Sequence, residues 1–188
     1  IMSLFRPLIE LRVKTKAQLP LSIARSVRSI DASALRVHNS TMTRSVGIVG
    51  ASGLIGSELA NHYQKLGWRV VRMSRHPKHI LHQEWRLIEK QSLANLDVLV
   101  NLAGEPINKR WTDENKARFH KSRVGLTQQL ATWLSELPED QRPSVWLNAS
   151  AVGIYGDAGD GLLAEDSPPG TDYLAQLCTE WEAAAHHV

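Results

Sequence analysis

The sequence predicts an α/β fold in which a mostly parallel sheet is covered by helices on both faces. Two observations carry this. Short apolar runs, each ending at small or polar residues, recur along residues 42–188, and helical patterns separate several of them. Strands that alternate with helices are joined by crossovers, and such strands pair in parallel and are buried on both sides.

Ser45 to Val49 is the first strand candidate and runs straight into a glycine-rich turn. Leu54 to Leu66 follows with Ile55, Leu59, Tyr63 and Leu66 on one stripe, the pattern of an amphipathic helix, and Gly67 stops it. Trp68 to Ser74 is a second strand and Leu96 to Gly104 a third, with a weaker strand signal at Glu84 to Leu87 between them. A helical pattern runs from Thr112 to about Leu137; Thr112 can cap it, and Asp113 and Glu114 suit its positive end. Ser144 to Ala151 is the next strand, residues 156–172 form a loop, and a helix starts at Tyr173.

The chain has 188 residues, 43% of them hydrophobic and 22% charged, enough for one domain with its own core plus a tail. A single cysteine, Cys178, cannot form an internal disulfide, so a reducing compartment is the default. The net charge of +3 resides in residues 1–41, which carry seven Lys and Arg against two acids. The remainder holds 15 basic against 17 acidic residues, which gives no electrostatic reason for nucleic-acid binding. No stretch approaches the roughly 20 apolar residues of a membrane span. Residues 1–41 are read as a disordered basic extension ahead of a start at Met42, with cytoplasmic location, or as an organelle-targeting segment, since they are rich in Ser and Arg and poor in acids. Domain boundaries follow as 1–41 for the extension and 42–188 for the folded part.

The segment GIVGASGLIGSELANHYQKLGWRVVRMSR, Gly47 to Arg75, is where the chemistry begins. A strand that turns through Gly50 into a helix gathers unpaired backbone N–H groups and the positive helix end at one point, which suits a pyrophosphate. Gly50, Gly53 and Gly56 leave room for close approach, and Ser52, Leu54 and Ile55 complete the loop and first helical turn. The spacing is G-x-x-G-x-x-G, where G-x-G-x-x-G is the commoner form, so the surrounding strand, helix and strand carry much of the argument. An acid after the second strand would accept hydrogen bonds from a ribose, whereas a 2′-phosphate needs a cation. Here Ser74 and Arg75 stand, so NADP(H) is expected over NAD(H), with Arg75 pairing the phosphate. Asn101, Leu102, Ala103 and Gly104 end the third strand in the same crevice; Asn101 reads equally as a structural turn residue. A Rossmann-type doubly wound sheet is the specific expectation.

The runs GASGLIG, NLAGEPINKRWTDENKARFHKSRVGLTQQL, NASAVGIYGDAGDGLLAEDSPPG and DYLAQLCTEWEAAA, in that order, resemble the atypical extended short-chain dehydrogenase/reductases of the NAD(P)-binding epimerase family. The nucleoside-diphosphate-sugar epimerase label and the "cell division inhibitor" label both attach to this group. The resemblance covers about Arg44 to Val188 and implies a dinucleotide-binding fold, NADP(H) as cofactor and an undefined small-molecule substrate. Val49 and the Gly125-Leu126 order depart from the usual family pattern.

Such enzymes use a Ser with a Tyr-x-x-x-Lys pair, the Lys lowering the Tyr pKa so that it exchanges a proton near neutral pH. Ser150 and Tyr173 match the first two positions, but four residues after Tyr173 stands Leu177, and the register shifted by one places Leu174 and Cys178. Without the cation, Tyr173 is a poor base and reads equally as a packing residue. Lys109, Arg110 and Arg123 lie on the cofactor side by the resemblance, and none is assigned a catalytic role; Tyr155 reads as a loop packing residue. His76, His79 and His82 lack a Cys or carboxylate at ligand spacing, so no metal site is assigned. Neither DAGDG as a calcium loop nor GASG as a nucleophile elbow completes its motif.

The family's substrate-binding part lies beyond the last helix, so the chain reads as a fragment or truncated product. On that reading Ser144 to Ser150 forms an exposed sheet edge open to association, including between copies of the chain. Two functions follow: an NADP(H)-dependent oxidoreductase or epimerase in longer form, or a non-catalytic dinucleotide-binding or sensing module.

Overall fold

The computed structural model describes Leu11–Val13 and residues 43–186. Six strands form one sheet in the order β1-β6-β5-β2-β3-β4. They are β1 (Leu11–Val13), β2 (Ser45–Val49), β3 (Arg69–Ser74), β4 (Glu84–Leu87), β5 (Val98–Asn101) and β6 (Val145–Ala149). The five strands from β2 onward are parallel, with Val46 opposite both Val70 and Val98, and Val98 opposite Val145.

The sheet alternates side chains between two cores. Val49, Val71, Met73 and Leu99 face the short helix α2 (Lys90–Leu93) and α4 (Leu126–Glu136), meeting Leu93, Leu130 and Leu134. Val46, Ile48, Val70 and Val100 face the opposite way toward α1 (Leu54–Lys65), meeting Ala60, Leu59 and Tyr63. All five residues of β2 are buried, the mark of a central strand covered on both faces. At its start, Ser45 donates to Asp97 Oδ2 from both its amide and its hydroxyl, at 2.7 and 2.8 Å. Asp97 N returns a bond to Ser45 Oγ at 3.1 Å, so the N-terminal ends of β2 and β5 are locked in register.

The expected helix from Thr112 to Leu137 is present in three joined parts. Helix α3 (Asp113–His120) is capped by Thr112, a π-helical turn spans Lys121–Gly125, and α4 continues from it. Helix α5 (Tyr173–Ala185) is capped by Asp172 and packs beside α4 and the π turn. A third core cluster forms there from Phe119, Val124, Ala149, Leu177, Trp181 and Ala184. Strands β5 and β6 are shorter than the apolar runs that foretold them, since Leu102 to Gly104 and Ser150 to Ala151 lie past the strand ends.

One expectation is corrected. The edge of β6 is not left open: β1 pairs with it antiparallel, Leu11 opposite Ala149 and Val13 opposite Leu147. The reading of residues 1–41 as a disordered or targeting extension otherwise lies outside the described residues. Among the described residues no helix is long and apolar enough to cross a membrane, and no group of three or more His, Cys, Asp or Glu is placed to hold a metal ion.

A buried polar knot joins sheet and helices. Asn101 Nδ2 donates to Thr127 Oγ1 at 3.0 Å and to Asn148 Oδ1 at 2.7 Å, and Trp181 Nε1 donates to the same Thr127 oxygen at 3.0 Å. Thr127 and Asn101 are fully buried, so water cannot replace a lost partner. Thr127→Val keeps the shape and deletes the shared oxygen. It is expected to cost about 1–3 kcal/mol in urea unfolding, and a variant as stable as the wild type would show that the knot contributes nothing.

Candidate functional site

The C-terminal ends of β2, β3 and β5 converge on Gly50. Its N–H donates to Met73 O at 3.2 Å, and Leu102 N donates to Val49 O at 2.9 Å, so the turn is stitched to both neighbouring strands. Gly50 has φ +84°, and a Cβ there would lie 2.9 Å from Ala103 N and Leu102 C. Both facts exclude a side chain, since the left-handed region penalises one and the contacted atoms are backbone. Gly56 is excluded from bearing one for a second reason: its Cβ would fall 2.4 Å from Gly50 O. Turn and helix are thereby pressed together.

Helix α1 begins at Gly53, which has no side chain to cap it, and there is no acid in its first turn. The first-turn amides of a helix have no internal partners, and the helix dipole adds positive potential there. Around this end Ser52, Gly53, Leu54 and Ile55 are exposed, Leu54 at 84%, while Ala51 and Gly56 are buried. A large apolar side chain left in water beside a bare helix end is a surface fit for a ligand that is both anionic and partly apolar.

Ser74 ends β3 and Arg75 follows it on one side of this turn, and Leu102, Ala103 and Gly104 follow β5 on the other. Arg75 is exposed, and Ser74 Oγ accepts from His76 N at 3.2 Å. Asn101 behaves differently from its strand-end neighbours: its side chain points into the buried knot, where Oδ1 also accepts from Ala103 N at 3.2 Å. Its amide therefore shapes the turn, the structural alternative that its position in NLAG allowed.

The π turn presses two side chains onto the chain after Gly104. Ser122 Oγ accepts from Glu105 N at 2.9 Å, and Arg123 Nη1 donates to Glu105 O at 3.0 Å. The Arg123 guanidinium lies over the Trp181 ring, 5.4 Å from its centroid, and against Gly104, whose added Cβ would sit 3.0 Å from Arg123 Cζ. Burial lowers the pKa of this guanidinium, opposed by Cys178, Tyr173 and Glu105 nearby. Sequence reasoning gave Arg123 no role and did not single out Ser122; the available signal was their place together in the run NLAGEPINKRWTDENKARFHKSRVGLTQQL, which carries part of the family resemblance.

Ser150 and Tyr173 have separate partners. Ser150 Oγ, just past β6, donates to Glu182 Oε1 of α5 at 2.5 Å. The Tyr173 hydroxyl donates to Lys116 O at 3.2 Å, its ring packs on Trp111 at 5.6 Å, and Lys116 Nζ lies 5.1 Å from its centroid. Burial pushes the Tyr173 pKa up, only partly opposed by Arg123. This phenol is engaged in packing α5 onto α3 and is a weaker acid than a free tyrosine. Cys178 is buried one helical turn before Glu182, and burial likewise raises its thiol pKa. Glu182, on α5 one turn past Cys178, is a partner to which the sequence analysis gave no role.

With this geometry in view, the likenesses to known proteins are informative. The profile of the NAD dependent epimerase/dehydratase family matches residues 46–187. The chloroplastic SDR39U1 homologue of Arabidopsis thaliana, an epimerase family protein, is 34% identical over 155 residues, covering 74% of this chain and 44% of that protein. The epimerase family protein Mb2239 of Mycobacterium bovis is 34% identical over 145 residues, covering 74% of this chain and 47% of its own length. The chain thus spans about half the length of the curated relatives it matches.

Among solved structures, human SDR39U1 (isoform 2) with NADPH superposes with a TM-score of 0.65 at 30% identity, covering 76% of this chain and 48% of that one. The nucleoside-diphosphate sugar epimerase of Corynebacterium glutamicum gives a TM-score of 0.64 at 35% identity, covering 77% and 30%. The parallel sheet with its helices is therefore a Rossmann-type fold. By profile, by relatives and by fold, the chain belongs to the NAD dependent epimerase/dehydratase family.

Proposed function

We propose that the chain is the nucleotide-binding part of an NADP(H)-dependent oxidoreductase or epimerase acting on a small hydroxylated or carbonyl substrate. The observation that carries this reading is the Gly50 turn, where even a Cβ would come within 2.9 Å of the Leu102 and Ala103 backbone, beside the uncapped start of α1. That opening suits a pyrophosphate held by the amides of Leu54 to Gly56, the Gly53 N–H being bonded to Gly50 O at 3.0 Å, with Ser52, Leu54 and Ile55 at its rim. Leu102, Ala103 and Gly104 line the other wall, and Asn101 holds that wall from behind. Ser74 and Arg75 stand where a ribose 2′-phosphate is read, which favours NADP(H) over NAD(H). The human relative solved with NADPH supports the same choice.

The cofactor would supply hydride exchange; the chain supplies position and proton contacts. Ser150 Oγ can hold a substrate oxygen, and Glu182, its partner at 2.5 Å, orients that hydroxyl and can take its proton. Tyr173 is the weaker candidate, because its hydroxyl is bonded to Lys116 O and its pKa is raised. The missing Tyr-x-x-x-Lys lysine favours a second reading, a module that binds NADP(H) without turnover. For location, the basic residues 1–41 together with the chloroplastic relative support organelle import as an alternative to the cytoplasm.

Calorimetric titration of NADPH and NADH tests the nucleotide reading. The wild type is expected to prefer NADPH, and Arg75→Ala to remove that preference by weakening NADPH at least tenfold while sparing NADH, the scale of a charge-assisted pair worth about 1.5–3 kcal/mol. Gly50→Ala should weaken both nucleotides together. Equal affinities in the wild type would refute the assignment of Arg75. Loaded protein that oxidises NADPH with a panel of carbonyl compounds, and loses this on Ser150→Ala with NADPH affinity intact, supports the enzyme; tight binding without turnover on any panel member supports the module.

A further inference from the structure

Beside the Gly50 turn, one carboxylate sits among three cations drawn from three segments. Arg75 follows β3 and Glu105 follows β5, the two strands that flank β2, so about 10 Å of sheet separates their backbones. Lys109 Nζ donates to Glu105 Oε1 at 2.5 Å, and the charges of Arg75 and of Arg118 on α3 act on the same carboxylate. Arg118 is shared with Glu114, which accepts from it at 2.7 Å. The Glu105 main chain is held at both its N–H and its C=O by Ser122 and Arg123, so only its side chain is free to swing. The hydrogen bond from Lys109 is the main reason that the carboxyl group lies below its ordinary pKa, and it is an anion at neutral pH.

Resting on the reading of Arg75 as a 2′-phosphate contact, we propose that Glu105 is an internal counter-anion that sets nucleotide specificity, masking Lys109 and part of the Arg75 field until a 2′-phosphate takes its place. A phosphomonoester carries close to two negative charges near neutral pH and three acceptor oxygens. It competes with the carboxylate for Lys109, and the fixed backbone lets Glu105 turn away without disturbing the strand end. A free 2′-hydroxyl makes no such exchange. Glu105 therefore costs affinity for the phosphorylated nucleotide and narrows its advantage over the unphosphorylated one, and Lys109 is the second phosphate ligand.

The probes are adenosine 2′,5′-bisphosphate and 5′-AMP, which differ only in the 2′-phosphate, titrated by calorimetry into the full 188-residue chain. The wild type, Glu105→Gln, Lys109→Met and the double variant are compared at low salt, with circular dichroism to check folding. Glu105→Gln is expected to tighten the bisphosphate roughly 3- to 10-fold, with less than a twofold change for AMP and a smaller gain at high salt. Lys109→Met should weaken the bisphosphate and abolish most of the gain from Glu105→Gln. If Lys109→Met fails to fold, the salt dependence of the Glu105→Gln gain decides. Unchanged or weaker bisphosphate binding in Glu105→Gln, or an equal shift for both probes, overturns the proposal, since either means that Glu105 supports the cations instead of masking them. A wild type without preference for the bisphosphate but a Glu105→Gln variant with one would remove the Arg75 reading as first stated and keep the counter-anion. Failure of every variant to bind either probe overturns both.

Discussion

The site depends on one close contact, the passage of Gly50 against the backbone of Leu102 and Ala103. It brings the ends of β2 and β5 together at a separation that no side chain fits, and it does so in a conformation that L-residues reach only at a cost of roughly 1–2 kcal/mol. Hydrogen bonds on both sides of the turn hold this arrangement, from Gly50 N to Met73 O and from Leu102 N to Val49 O. Because the chain turns there, α1 starts beside the strand ends and points its unpaired amides at the crevice. Gly56 then lets α1 lie directly on the turn.

A second layer keeps the wall opposite that turn in place. Asn101, Thr127, Asn148 and Trp181 share hydrogen bonds across β5, β6, α4 and α5, so the strand end that precedes Ala103 is tied to two helices. Above it the π turn brings Ser122 and Arg123 onto Glu105, and Arg123 lies half-buried between Gly104 and Trp181. A π turn widens the helix by one residue, and such insertions often occur at functional sites. Here it lets an adjacent serine and arginine reach the N–H and the C=O of a single residue, Glu105. Polar groups that are fully paired in this way rigidify a site, whereas unpaired ones would destabilise it.

The fold was legible in the sequence because its central elements are strongly patterned. The apolar run Val46 to Val49 of β2, the stripe of α1 and the Thr112 cap each have one reading, and together they point to a parallel sheet. The edge was less legible: β1 is three residues within a basic segment and carries no alternating pattern long enough to mark it. At the site, Gly50 and Gly56 were readable because backbone geometry demands glycine. Asn101 was ambiguous because the same residue type serves a turn or a ligand, and only the positions of Thr127 and Asn148, 26 and 47 residues away, decide which way its amide points. The Ser150–Glu182 pair and the Glu105–Lys109 pair behave alike in this respect. The first joins a strand end to a helix 32 residues on, and the second lies in a loop without periodicity. Motif spacing reports the backbone well and long-range side-chain partners poorly.

The central claim is that the Gly50 turn, the start of α1 and the two flanking strand ends form one nucleotide site. Amide hydrogen exchange of the chain with and without saturating NADPH tests it most directly, because it reads the backbone groups themselves. The account predicts slowed exchange confined to residues 50–57, 74–76 and 102–106, with α4 unchanged. Protection elsewhere with these segments unaffected, or no protection under conditions where the nucleotide binds, would contradict it.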